Sequence, residues 1–269
     1  MLEQEFVRNA LVAGSAIALV SGAIGYFVVL RAQVFAGDAL SHVAFTGVLA
    51  ASLAGIDLRL GLFAATVSVA LLFAALGERL AVDDVVIGVD FSWVLGLGVL
   101  FLYLFNRGAG GSNGALASRA LFGSIFSLSA PDTAVAALIA LGLGVALTAI
   151  GRPLLYASTS PESAGARGVR VGLLGTCFLV VLAVDAGEAT QAVGALLLLG
   201  LIAAPAGAAL RLTASPRLAL LISSLAGLAS VWVGVTLAYL EPSLPPSSAI
   251  IGVAVAIYAA SFAATLGRS

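Results

Sequence analysis

Nine apolar runs divide the chain, at about residues 9–30, 37–56, 58–77, 84–105, 131–150, 169–187, 191–210, 216–239 and 247–266. At about 1.5 Å of rise per residue, a run of about 20 residues matches the roughly 30 Å of hydrocarbon in a bilayer. The strict alternation of a membrane β-strand is absent from these runs, and backbone groups in lipid must be satisfied within their own segment, so the runs are helices. The weakest are 37–56, which carries Asp38 and His42, and the crowded pair 169–187 and 191–210, separated by a turn bearing Asp185 and Glu188. The pattern therefore predicts an all-α, polytopic membrane helix bundle with about 8–9 transmembrane helices.

Composition sharpens this. Of the 269 residues, 61% are hydrophobic and 9% charged, against roughly 25% charged in soluble domains. Nine spans consume most of the length, which leaves one transmembrane domain over 1–269 and no room for a nucleotide-binding domain. Two longer connections remain. Residues 106–130 start as a Gly- and Ser-rich loop and continue as a short amphipathic or partly inserted helix; the other is 151–168. Glu3 and Glu5 at the start are unlike the basic n-region of a signal peptide, so the first run is expected to be a retained span.

The 12 basic residues are all Arg and form no tract, which excludes the clustered positive charge of a nucleic-acid binder. One His and one Cys assemble neither a zinc finger nor a disulfide framework, and Cys177, inside an apolar run, reads as a packed thiol. No Ser-His-Asp or zinc-hydrolase arrangement is present, so the chain is expected to be non-catalytic. With nine spans, eight Arg fall on one side (Arg31, Arg79, Arg152, Arg167, Arg170, Arg211, Arg217, Arg268) and Arg8, Arg59, Arg107 and Arg119 on the other. The positive-inside rule then places the N-terminus outside and the C-terminus and the 151–168 connection in the cytoplasm of a cell-membrane protein.

Ionisable groups at membrane depth are costly and commonly mark a pathway. Asp38 and His42 are four apart, hence on one helix face, and a carboxylate with an imidazole suits a divalent first-row metal. The plainer reading has Asp38 capping the helix and His42 hydrogen-bonded in the bundle. Pro205 interrupts the seventh run and predicts a kink, which either shapes the bundle or borders a path. Ser160, Pro161 and Glu162, followed by Gly165 and Gly168, read as a short helix start, either a surface knob for a partner or a solvated loop. Asp185, Glu188 and Glu241 fall on the outer side, as an entrance for cations or as ordinary loop charges.

Residues 31–47, RAQVFAGDALSHVAFTG, resemble the signature of the permease subunits of zinc, manganese and iron ABC importers, the ABC-3 metal permeases. The resemblance extends to Leu121-Phe122-Gly123, to 160–168, to Val193-Gly194-Ala195 through Pro205-Ala206, and to Pro245-Pro246-Ser247-Ser248, and so covers essentially the whole chain. It implies a homodimeric permease that translocates a divalent Zn2+, Mn2+ or Fe2+ ion delivered by an extracellular or periplasmic metal-binding protein. ATP would be hydrolysed by a cytoplasmic ATPase dimer, with no cofactor bound by this chain. It also implies that Asp38 and His42 line the translocation path and that Ser160 to Gly168 forms the helix coupling to the ATPase. One departure is Pro205-Ala206-Gly207-Ala208-Ala209, where the family often has a Thr hydroxyl. The alternatives are an ion-coupled secondary transporter, for which only Asp38 and Asp90 offer intramembrane acids, and a non-transport polytopic protein.

Overall fold

The computed structural model describes residues 4–80, 84–108, 121–195 and 198–266. Residues 109–120, which hold the Gly-rich part of the 106–130 connection and Arg119, lie outside the described residues, as does Arg268. Among the described residues ten α-helices follow in order: α1 Glu5–Leu30, α2 Val34–Ala54, α3 Leu58–Leu80, α4 Asp84–Gly108, α5 Ala130–Thr159, α6 Pro161–Ala166, α7 Val171–Val193, α8 Leu198–Leu212, α9 Pro216–Leu240 and α10 Pro246–Leu266. A 3-10 turn spans Ile125–Ser127, and no strand occurs among the described residues.

Eight of the helices are long and apolar enough to cross a membrane; α8, at 15 residues, is not. The α1 and α2 helices are the most buried of these eight. Along α1, Gly14 faces Val231, Ala18 faces Gly227 and Gly22 faces Ser223, so α9 runs antiparallel to it. Lipid supplies no hydrophobic drive between helices, and close backbone approach is what holds them. A Cβ on Gly22 would sit 2.7 Å from the Ser223 carbonyl oxygen, and the Ser223 hydroxyl donates to the Gly22 carbonyl at 2.6 Å.

Two expectations change. The connection 151–168 is largely helix, because α5 continues to Thr159 with Pro153 inside it. The turn expected at 188–190 is helix too, since α7 runs unbroken to Val193. Helix α8 then starts near Ile251 of α10 and runs parallel to that helix, with Gly200 against Ile251 and Gly207 against Tyr258. Because α10 is antiparallel to α9 through Gly234 and Ile250, it shares the direction of α1, and the two ends of the chain emerge on opposite faces.

Candidate translocation site

Helix α2 starts at Val34, after a tight turn in which Ala32 has φ 54°. The N-cap is Gln33, so Asp38 lies in the second turn and does not cap the helix. Its half-buried side chain lines a cavity of about 330 Å3 together with Ala32, Val34, Phe35 and Leu199. His42, one turn on, is buried, with its ring edge-on to Phe91 of α4 at 5.1 Å between centroids. The His42 Nδ1 atom is buried with no hydrogen-bond partner. An imidazole left with an unused nitrogen is not performing the bland bundle role, since buried polar atoms are normally satisfied.

On the same helix the Ser41 hydroxyl lies 2.7 Å from the Asp38 carbonyl oxygen and 2.9 Å from that of Ala195. Ala195 belongs to the stretch that joins α7 to α8. There Gly194 has φ 93° and Gly123, opposite it, has φ 69°, a region that L side chains rarely adopt. The two glycines meet backbone to backbone: a Cβ on Gly123 would be 2.5 Å from the Gly194 nitrogen. The Ser124 N–H donates to the Gln191 carbonyl at 3.4 Å, and the Ser247 hydroxyl donates to the Phe122 carbonyl at 2.6 Å. Three separate sequence landmarks, 121–123, 193–195 and 245–248, thus form one packed knot whose Ala195 carbonyl reaches Ser41. The chemistry at this level is one carboxylate, one imidazole and non-helical backbone. Discontinuous helices of this kind expose carbonyls and peptide dipoles at membrane depth, where a cation is handled. A second clamp holds α2 to α4: the Thr46 hydroxyl lies 3.1 Å from the His42 carbonyl and 3.2 Å from that of Val94.

Other predicted residues lie elsewhere. Asp185 and Glu188 are not loop charges but buried residues of α7, at 1% and 3% exposure. The Ser21 hydroxyl donates to Asp185 at 2.8 Å. Glu188 accepts from the Gln191 amide at 3.2 Å and faces Arg59 at 3.9 Å, and Arg59 also pairs with Asp132 at 3.2 Å. The hydropathy pattern misses this because the groups that meet the two acids from other helices, Ser21 of α1 and Arg59 of α3, lie far away in sequence. Glu241 is exposed after α9 and accepts from the Ser243 hydroxyl at 2.7 Å. Pro205 is buried inside α8, which continues through it; the chain breaks at Gly194, not at the proline. Leu199, rather than Pro205, is the α8 residue in the Asp38 cavity.

At the opposite end from Glu5, residues 161–166 of the 160–168 segment form the short helix α6. Pro161 opens it, and Ser160 holds the N-cap position without a side-chain cap bond. Gly168 follows with φ 81°, and the Val169 N–H returns to the Ala164 carbonyl at 3.0 Å. Ala164 is fully buried, whereas Glu162, Gly165 and Gly168 are exposed. The sequence alone assigns no role to Ser41, Gly194 or Phe91; the nearest signal is the pair of glycine-bearing motifs at 123 and 194.

The profile of the ABC 3 transport family matches residues 3–265. The manganese import system permease protein ScaB of Streptococcus parasanguinis is 31% identical over 84% of this chain and 79% of its own length. A probable iron transport system membrane protein of Haemophilus influenzae is 27% identical over 88% of this chain and 86% of its own. Among solved structures, a chain of PsaBC from Streptococcus pneumoniae in complex with Fab superposes with a TM-score of 0.84 at 25% identity, covering 97% of this chain and 92% of that one.

Proposed function

The chain belongs to the ABC 3 transport family, and from that membership we propose that it is the permease subunit of an ABC importer carrying Mn2+, Fe2+ or Zn2+ inward across the cell membrane. It works as a homodimer, with a cytoplasmic ATPase dimer supplying the energy and an extracellular or periplasmic metal-binding protein delivering the ion; the chain itself carries out no catalysis. The observation that supports this reading best is the convergence on one membrane level of Asp38, His42 with its free Nδ1, and the Ala195 carbonyl held at Ser41.

In this scheme the metal enters from the face bearing Glu5, sheds part of its water, and passes Asp38 and His42. A borderline imidazole and a hard carboxylate, backed by carbonyl oxygen, bind such ions without closing a full shell. Release is as necessary as capture, and two protein ligands leave exchange fast. ATP-driven closure of the partner subunits moves α6, and through α5 and α7 switches the opening from one face to the other.

The test is uptake by the reconstituted complex with each of the three metals offered singly. Asp38→Asn and His42→Ala are each expected to reduce uptake roughly tenfold or more, the equivalent of about 1.4 kcal/mol, while the complex still assembles. Unchanged uptake and unchanged metal stimulation of the ATPase in both variants would show that the ion does not pass these side chains. Uptake that persists without ATP or the ATPase subunit would replace the ABC reading by ion-coupled transport.

A further inference from the structure

Two cavities are lined by successive stretches of α1 and α5 and together outline a groove between these helices, which α8 and α9 close at the second cavity. The first, about 510 Å3, is lined by Ala16, Leu19, Ala23, Ala137, Leu141 and Gly144, with no charged side chain. The second, about 460 Å3, lies farther along both helices, where Tyr26, Arg152, Tyr156, Thr159 and Thr213 join apolar neighbours. The α1 positions 16, 19, 23, 26 and 30 follow helical spacing and form one stripe, so the cavities share a face. From Ala16 to Leu30 this stripe extends about 21 Å, a length suited to an acyl chain. Leu138, Leu141 and Val145 of α5 are 62–67% exposed, so the groove opens sideways to the bilayer.

The polar end sits at the face that holds Arg31, Arg167 and Arg170. Arg152 is exposed, and no acidic side chain among the described residues pairs with it. Arg167 adds a second cation, 5.5 Å from the centre of the Tyr156 ring. A guanidinium with nearby hydroxyls recognises phosphate, and basic pockets between transmembrane helices bind anionic lipid headgroups. A soluble phosphate would use only one of the two cavities.

We propose that the α1–α5 groove binds one anionic glycerophospholipid, its phosphate at Arg152 and one acyl chain along Gly144 and the Ala16–Ala23 stripe. The lipid bridges α5, which leads into α6, to the buried helix α1, and so joins the moving end of the bundle to its core.

Native mass spectrometry of the full-length chain in detergent, with phosphatidylglycerol, phosphatidylcholine or inorganic phosphate added, tests the site. Phosphatidylglycerol is expected to be retained roughly fivefold better than phosphatidylcholine, the effect of about one arginine. Arg152→Gln removes that preference. Gly144→Leu, at a position where an added Cβ meets nothing within 4 Å, fills the groove and lowers retention of both lipids without disturbing the fold. Equal retention of the two lipids by the unaltered chain, retention unaffected by either variant, or displacement of phosphatidylglycerol by inorganic phosphate would overturn the proposal.

Discussion

Gly194 carries the strongest single-residue constraint in the site. Its φ of 93° and ψ of 154° lie where only glycine is comfortable, and an added methyl would run into the facing backbone of Leu121 and Phe122. Forcing a side chain into such a conformation costs about 1–3 kcal/mol, before any collision with that backbone. Gly194→Ala is therefore expected to lower the unfolding temperature of the detergent-solubilised chain by several degrees and to release the Ala195 carbonyl from Ser41. The comparison is Gly142→Ala, where nothing lies within 4 Å and no such loss is expected; an equal effect of both would deny Gly194 its special role. Asp38 and His42 are legible in the sequence because helical spacing alone places them on one face. Gly194 is not, because its meaning depends on Gly123, far earlier in the chain, approaching it backbone to backbone.

Helix boundaries are misread where charge is mistaken for solvent. A stretch with Asp185 and Glu188 interrupts an apolar run and reads as a turn, yet both side chains are met from other helices and α7 continues to Val193. Burying such acids is tolerable only because Ser21, Arg59 and Gln191 meet them. The short α6 helix shows the reverse case, where local residues suffice. Six residues do not make a stable helix alone, but Pro161 fixes its start, left-handed Gly168 its end, and buried Ala164 pins it to the bundle. Everything else on it points outward. Nothing lies within 4 Å of a Cβ at Gly165, so Gly165→Phe leaves the permease folded. If α6 seats in a groove on the ATPase, the added ring weakens association roughly tenfold or more, the scale of a disrupted interface centre. Co-purification of the two subunits, with the melting curve of the permease alone as control, measures it; full association of the Phe variant would remove α6 from the interface.

At the scale of the whole molecule, the path of the chain and its charges make one joint statement. Helix α8 is too short to span the hydrocarbon, but it carries the chain back from the Gly194 break toward the face where α9 begins. With it the number of passes is odd, and α1 and α10 point the same way. Length and hydropathy leave eight and nine spans open because they do not register a helix that starts at membrane depth beside Ile251. Once direction is fixed, Arg31, Arg152, Arg167, Arg170, Arg211 and Arg217 gather at the face of α6, against Arg8, Arg59 and Arg107 at the other. Such a surplus near span ends is what holds a segment in the cytoplasm. Fusions at the two termini separate the parts of this statement. Alkaline phosphatase, active only outside, is expected to be active before Met1 and inactive after Ser269, while a fluorescent protein after Ser269 folds and shines. Both termini behaving alike would mean that α8 does not complete a pass. The opposite pattern at both ends would keep the odd count and reverse the orientation, placing α6 where no ATPase reaches it and removing the mechanical basis of the importer.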